Sequence, residues 1–422
     1  MITGSQNTHA GSSRTPRRPV ELSLFAPRRR AAPASMVPQL DPLVVAGLFA
    51  GIGGIELGLA RSGHGSELLC EIDERACAVL EERFPGVRLQ KDVRTLRSLP
   101  RDVELLTAGF PCQDLSQAGM TRGIGGDRSG LIGEVFALLE RRRVPWVLIE
   151  NVPFMLQLAK GRALDVIVSE LERLGYRWAY RVVDSRSFGL PQRRQRVYLL
   201  ASRTGDPRDV LLADDAGERE DPLPSRRRSY GFYWTEGVRG LGTAIDAVPT
   251  LKGGSTIGIP SPPAIILPSG RVVTPDIRDA ERLQGFEADW TVPASAVSRR
   301  TGARWKLVGN AVTVDVAEWI GRRLRAPASY DSSEAAPLVR RSCAWPTAAW
   351  NVGGGRFRSF VSRWPVEVEG EPIHDFLRHG PALLSPRATD GFLRRLRSGS
   401  LRYPDWFESV LERHRERAAR EA

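Results

Sequence analysis

The sequence predicts an α/β fold: a mostly parallel sheet with helices on both faces, then a small irregular or β-rich domain, then a C-terminal extension. Three observations lead there. Short apolar runs alternate with amphipathic stretches between Leu43 and Ala201, which implies βαβ units. That rhythm stops after Ala201 and resumes near Pro275. The chemically unusual residues fall repeatedly at the carboxyl ends of the apolar runs, where open α/β sheets bind ligands.

The candidate buried strands are residues 43–49, 67–72, 103–108, 146–149, 180–183 and 196–201, with helical patterns over 74–84, 131–142 and 162–174. In the last of these, Leu164, Ile167, Val168, Leu171 and Leu174 share one helical face and Gly175 supplies the stop. Residues 203–270, rich in Arg, Asp, Gly and Pro, lack helical periodicity; helical patterns return over 275–286 and 305–325. The expected organisation is a disordered basic tail over 1–40, a catalytic and ligand-binding domain over 41–202, a small domain over 203–300, and a return to the first domain over 301–326. An extension of unassigned role follows over 327–422, carrying Trp345, Trp350, Trp364 and Trp406.

Composition narrows the class. The chain has 422 residues, 41% apolar and 26% charged, which excludes a wholly disordered chain, a collagen-like repeat and a disulfide scaffold. No stretch approaches the roughly 18 consecutive apolar residues of a membrane span. The first forty residues carry Arg14, Arg17, Arg18, Arg28, Arg29 and Arg30 but no apolar core, so they do not read as a secretory signal. A soluble, cytoplasmic protein is expected. Net charge is +12, and of the 61 basic residues only Lys91, Lys160, Lys252 and Lys306 are lysines. Arginine suits bidentate contact to phosphate and to guanine edges, so a polyanionic partner is expected, although a coding bias toward arginine gives the same skew. The four cysteines (Cys70, Cys77, Cys112, Cys343) contain no C-x-x-C pair, so neither a metal cluster nor a disulfide framework is expected.

The chemistry gathers at the strand ends. After the first comes Phe49-Ala50-Gly51-Ile52-Gly53-Gly54, a turn that lets backbone N–H groups approach a ligand, or serves packing alone. Its spacing does not fit the dinucleotide fingerprint, because Glu56 stands where the third glycine belongs. After the second comes Glu71-Ile72-Asp73, an acidic pair suited to ribose hydroxyls, and Asp92 follows the next run, able to accept from an adenine amino group. The next strand leads into Gly109-Phe110-Pro111-Cys112, where the thiol is either a nucleophile or an ordinary buried cysteine. Trp146-Val147-Leu148-Ile149 ends in Glu150, either a carboxyl with a raised pKa or a helix cap. In Gln192-Arg193-Arg194-Gln195-Arg196, strand alternation places Arg194 and Arg196 on one face with Gln192, as a site wall or a solvated edge.

These features, in this order on one sheet, resemble the cytosine-C5-specific DNA methyltransferase family. The motifs stand as LFAGIGG (48–54), EID (71–73), GFPCQDLSQAG (109–119), ENV (150–152), QRRQR (192–196), RDAERLQGF (278–286) and GNAV (309–312), over residues 43 to about 325. Many members carry Asp where this chain has Gly47. The resemblance implies a Rossmann-like, S-adenosylmethionine-dependent catalytic sheet, with 203–300 holding a target-recognition domain. It assigns Cys112 to attack cytosine C6, Glu150 to N3, Arg194 to the base O2, and Arg196 to the Cys112 loop or substrate phosphate. It assigns S-adenosylmethionine to Phe49, Gly51, Gly53, Gly54, Glu71, Asp92, Val93, Pro111, Leu131, Asn310 and Val312, with no metal. Gln113, Ser116, Gln192 and Thr250 are assigned to the DNA, while Gln284, Gly285 and Phe286 fall to the domain interface. The implied substrate is a cytosine flipped out of a short double-stranded DNA recognition sequence, in a restriction–modification or phage-defence system with cognate restriction or defence proteins as possible partners, by a monomer. A tRNA cytosine-C5 methyltransferase and a catalytically inactive DNA-binding relative are the alternatives. Neither the recognition sequence nor the role of the extension follows from the residues.

Overall fold

The apolar runs become strands because each has two faces to bury. In the computed structural model, which describes residues 39–111, 130–238, 240–254, 260–300, 302–339 and 344–421, the first half runs β1 (Val44–Leu48), α1 (Gly54–Arg61), β2 (Gly65–Cys70), α2 (Glu74–Arg83), β3 (Arg88–Gln90) and β4 (Leu105–Ala108). It continues with α3 (Leu131–Arg141), β5 (Trp146–Asn151), α4 (Arg162–Arg173), β6 (Arg177–Asp184), β7 (Gln192–Arg193) and β8 (Gln195–Ser202). Along β5 and β8, alternate side chains enter two different cores. Val147, Ile149, Leu199 and Ala201 meet α3 and α4 on one face. Leu148, Tyr198 and Leu200 meet α1 and the later helices on the other. Both faces are thus covered, as a largely apolar strand requires.

The pairing is mixed. β3, β2, β1, β4 and β5 lie parallel in that order, but β8 inserts antiparallel between β5 and β6. The β6–β8 connection is short enough to return without a helical crossover, so the two strands can only run opposite ways.

The second half supplies α5 (Arg208–Leu211), β9 (Tyr230–Phe232), β10 (Ala244–Ile245), β11 (Val248–Pro249), β12 (Ala264–Ile266) and β13 (Val272–Thr274). Then come α6 (Ile277–Leu283), α7 (Ala294–Val297), α8 (Gly302–Asn310) and α9 (Val314–Arg325). The 305–325 pattern is two helices rather than one. Between them the carbonyls of Gly309 and Ala311 are taken by Arg194 and those of Val308 and Ala311 by Gln284, while Val314 N–H donates to the Gln284 carbonyl.

The extension contributes β14 (Ala336–Pro337), β15 (Ala348–Asn351), β16 (Phe357–Arg358), α10 (Ile373–Phe376), β17 (Ala382–Leu383), α11 (Pro386–Ser398) and α12 (Trp406–Glu421). It divides between both sheets. β15 pairs antiparallel with β6, so β15, β16 and β14 lengthen the large sheet to ten strands. β17 pairs with β13 in the five-stranded sheet β10-β9-β12-β13-β17. Arg356 binds Asp165, Ser169 and Glu172 of α4. Trp345 packs edge-on to Trp178 and Tyr180, and Trp350 stacks on Phe357.

The small sheet depends on α11 and α12 for its core. Phe392, Leu393 and Leu396 of α11 and Phe407, Val410 and Leu411 of α12 are buried with Tyr230, Phe232 and Ile266. His414 of α12 accepts from Val272 N–H at Nδ1 (3.2 Å) and donates from Nε2 to the Leu384 carbonyl (2.8 Å), which fixes its neutral tautomer. Phe407 is fully buried against Phe232, Phe392 and Tyr230. Phe407→Ala is expected to destabilise the chain by about 3–5 kcal/mol, measured by urea unfolding; a loss within experimental error of zero would show that the extension only leans on the small domain.

Candidate active site

The turn after β1 carries three left-handed residues, Phe49 (φ 56°), Gly51 (φ 57°) and Gly53 (φ 82°). Its glycines do different things. A Cβ on Gly51 meets nothing within 4 Å, so the backbone is open there. A Cβ on Gly53 would lie 2.3 Å from the Phe84 ring, and one on Gly54 would lie 2.4 Å from the Val312 carbonyl oxygen. Gly53 and Gly54 therefore permit close packing, and Gly51 is the one that leaves room for a ligand.

Glu71 stands at the same mouth, held by three backbone donors. Gly51 N–H reaches Oε2 at 2.8 Å, and Ile72 and Asp73 N–H reach Oε1 at 2.9 and 2.8 Å. A carboxylate has about four acceptor directions, so one remains for a ribose hydroxyl. Asp73, expected beside it as a second ribose acceptor, instead caps α2 by accepting from Arg75 N–H and pairs with the Arg75 guanidinium. Between them Ile72 is 65% exposed, an apolar platform that its place inside the EID motif did not reveal. Asp92 caps the turn that contains Val93 and pairs with Arg94. An open turn, an anchored carboxylate and a bare apolar side chain fit an adenosine-bearing cofactor.

Beneath the turn lies a group that sequence reasoning passed over. Glu56 of α1 is buried, accepts from Thr107 Oγ1 at 2.9 Å, and its Oε2 has no hydrogen-bond partner among the described residues. It fills the space above Gly47, where a Cβ would lie 2.3 Å from Glu56 Oε1. The unusual Gly47 is thus matched to Glu56. The only signal in the sequence was that an acidic side chain occupies an otherwise apolar helix start.

On the other side of the sheet edge, β4 leads through Gly109 and Phe110 to Pro111, which is exposed. Cys112, Gln113 and Ser116 lie outside the described residues. Asn151 Nδ2 donates to the Phe110 carbonyl at 3.0 Å and pins the start of this loop. Phe110 also meets Phe49 edge-on, with ring centroids 6.3 Å apart, which links the two strand ends. Glu150 is buried at the end of β5, with Oε1 3.1 Å from Arg196 Nε and Oε2 3.6 Å from where a Gly109 Cβ would stand. Burial raises its pKa, against the opposing pull of Arg196 and Arg194.

Two expected roles change. Arg194, expected on the substrate base, is buried, and its guanidinium donates to the carbonyls of Leu251, Gly309 and Ala311. It faces those carbonyls, and Arg196 is the arginine whose Nε lies 3.1 Å from Glu150. The reason is a break in the strand at Arg194, between β7 and β8, which interrupts the alternation that would put both arginines on one face. Gln192, expected at the DNA, is also fully buried. Its amide donates to the Leu283 carbonyl and Gln284 Oε1, and its Oε1 accepts from Leu251 N–H. Thr250 is part-buried, with its hydroxyl on the Arg193 carbonyl at 2.8 Å. Asn310 is exposed, Val312 and Leu131 are part-buried, and Gln284 and Phe286 are buried. Gly253 packs on Asn310, its would-be Cβ 2.6 Å from Oδ1, so the seam between the small domain and the cofactor-side turn is tight.

Burial pushes Glu56 up from 4.5 to about 7. Between those values the folded chain keeps a proton that the unfolded chain has lost, so this group's contribution to stability falls as pH rises from 4.5 to about 7 and stays low above. Glu56→Gln is expected to raise the melting temperature relative to the parent at pH 8 but not at pH 4.5, removing a penalty of at most about 3 kcal/mol. Equal melting shifts at both pH values would show that folding does not raise the Glu56 pKa.

Comparison with known proteins agrees with this geometry. Residues 43–229 match the model of the C-5 cytosine-specific DNA methylase family. The chain is 50% identical over 385 residues to Type II methyltransferase M2.BsuMI of Bacillus subtilis (strain 168), covering 88% of this chain and 98% of that protein. It is 39% identical over 173 residues to Type II methyltransferase M.BanI of Aneurinibacillus aneurinilyticus, covering 40% of each. It is 29% identical over 314 residues to Type II methyltransferase M.NlaX of Neisseria lactamica, covering 67% of this chain and 96% of that one. With the strand-end residues, the match to the family model and near-full-length identity to a relative all in agreement, the chain belongs to the C-5 cytosine-specific DNA methylase family.

Proposed function

We propose that this chain methylates C5 of a cytosine flipped out of a short duplex DNA recognition sequence, through a covalent bond between Cys112 Sγ and cytosine C6, as the modification enzyme of a restriction–modification or related phage-defence system. The observation that carries the reading is the buried Glu150–Arg196 pair set against Gly109, three residues before Cys112. The setting is supported by relatives named as Type II methyltransferases.

Cytosine C5 is a weak nucleophile. Addition of the Cys112 thiolate to C6 pushes the C5–C6 electron pair toward C5 and N3. A carboxyl with a raised pKa, as burial gives Glu150, holds the proton that N3 needs as that charge arrives. Arg196, whose Nε lies 3.1 Å from Glu150, holds the base O2 in this reading. S-adenosylmethionine supplies, when bound, the electrophilic sulfonium methyl that C5 takes up. Gly51 would leave room for it, Glu71 would hold its ribose, exposed Ile72 would offer an apolar surface to its adenine, and Asn310 and Val312 would close the pocket edge. Loss of the C5 proton to a base then expels Cys112 and restores the C5–C6 double bond. A target base reaches these groups only out of the helix stack.

Bisulfite sequencing of DNA from a methylation-free bacterial host expressing the chain tests this reading. Full methylation at one short motif, absent with Cys112→Ser, is expected. Glu150→Gln is expected to lower kcat by about 10²–10⁴-fold while leaving S-adenosylmethionine affinity unchanged. No methylation from soluble protein that binds S-adenosylmethionine would exclude DNA as the substrate and redirect the assay to RNA.

A further inference from the structure

Trp290 lies in the connection between α6 and α7, far along the chain from β1, yet its indole packs against the turn that follows that strand. Nε1 donates to the Ile52 carbonyl at 2.9 Å, between Gly51 and Gly53. The ring is buried in a core shared with Ile52 and with Ala76 and Val79 of α2. Phe286 lies tilted against it at 5.2 Å and Phe84 edge-on at 6.2 Å. Phe84 is also the ring that a Cβ on Gly53 would meet.

The indole is itself held. Arg83, in the last turn of α2, donates from Nε to the Trp290 carbonyl at 3.1 Å and from a terminal nitrogen to the Asp289 carbonyl at 2.8 Å. The same guanidinium lies 5.1 Å from the Trp290 ring centroid. On the other side, buried Glu281 of α6 accepts from the N–H groups of Asp289 at 2.6 Å and Thr291 at 2.9 Å, and pairs with Arg304 of α8. Asp289 takes φ 66°, an uncommon conformation that persists because its surroundings fix it from both sides. The turn needs such a hold, since three of its residues are left-handed and Gly51 stands in open space. Ala50 N–H donates to the Cys70 carbonyl at 3.1 Å and Gly51 N–H to Glu71 Oε2 at 2.8 Å, which fixes the turn toward β2. Trp290 fixes its next residue from the opposite quarter of the chain.

We propose that Trp290 is a positioning residue of the cofactor site: its indole N–H holds the turn around Gly51 in the shape that accepts S-adenosylmethionine, and Arg83 holds the indole. This rests on the reading of that turn as the S-adenosylmethionine site and deepens it by assigning a residue outside the turn. Gly51 N–H and Glu71 share one hydrogen bond, so a turn that shifts also releases the carboxylate that would hold the ribose. Only molecules with the turn formed bind the cofactor, so loosening it weakens apparent affinity by the fraction lost and leaves the chemistry of the loaded enzyme alone. S-adenosylhomocysteine, the product left after methyl transfer, carries the same adenosine, so the loss falls equally on both ligands. Arg83 is suited to its part because a guanidinium presents diverging donors in one rigid plane and also stacks on an aromatic face.

The test is isothermal titration of the full-length chain with S-adenosylmethionine and, separately, with S-adenosylhomocysteine. Trp290→Phe, which keeps an aromatic ring and removes the N–H, is expected to raise both Kd values about fivefold, the worth of one hydrogen bond. kcat at saturating S-adenosylmethionine and KM for DNA stay near the parent values. Arg83→Lys, which keeps the charge but not the fork, is expected to raise both Kd values by a smaller factor. Trp350→Phe is the control: this buried indole of the extension stacks on Phe357, and its Nε1 has no hydrogen-bond partner among the described residues. Its Kd values are expected to equal those of the parent. If Trp290→Phe fails to fold, Arg83→Lys decides. Parental affinity in the deciding variant, or an equal loss in Trp350→Phe, overturns the inference. A folded parent that binds neither ligand overturns the underlying reading of the cofactor site instead.

Discussion

One buried guanidinium organises the centre of this molecule. Arg194 is taken out of water, and burial lowers its pKa to about 9, so it stays charged at neutral pH. A charge in that position must be met by fixed dipoles or the fold loses several kcal/mol. The carbonyls of Leu251, Gly309 and Ala311 meet it. Leu251 belongs to the small domain just after β11, and Gly309 and Ala311 to the junction of α8 and α9. A single side chain between β7 and β8 thus ties the small domain and the α8–α9 junction to the catalytic sheet. Gln192 does the same for α6 and Leu251, and Gln284 for the α8–α9 break.

This junction accounts for the arrangement around it. The α8–α9 break brings Asn310 and Val312 against Gly253 and Gly54, so the cofactor-side turn and the small domain share a seam. The interruption of the strand at Arg194 separates two arginines that simple alternation would have put together. One becomes a structural joint. The other, Arg196, stays beside Glu150, where its charge partly offsets the burial that raises the pKa of that carboxyl. Charge inside and chemistry at the edge come from the same short stretch of chain.

The extension answers a problem of size. Strands of two or three residues, such as β9, β10, β12 and β13, bury too little to hold a sheet by themselves. Phe392, Leu393, Leu396, Phe407, Val410 and Leu411 supply the apolar surface that those strands lack. The extension's other half, through β15 on β6, covers what would be an open edge of the large sheet.

The sequence by itself determined the α/β class, the order of strands and helices in the first half, and the strand-end positions of Gly51, Glu71 and Glu150. These depend on local periodicity and on the polarity change at each strand end, which neighbouring residues encode. Cys112 was equally legible as a motif residue, through its place after Gly109-Phe110-Pro111. Only the tertiary structure decided that Arg194 and Gln192 are joints, that Asp73 is a cap, that Glu56 fills the space above Gly47, and that 327–422 is shared between two sheets. Apart from the Asp73 cap, whose partner Arg75 is two residues on, these depend on partners farther away in sequence, Arg194 on Gly309 and Ala311, Phe232 on Phe392 and Phe407. A buried polar group can be satisfied by any carbonyl that the fold brings near, and short strands carry too little pattern to announce their neighbours. Which contact is made is therefore a property of the packed chain and not of any local run of residues.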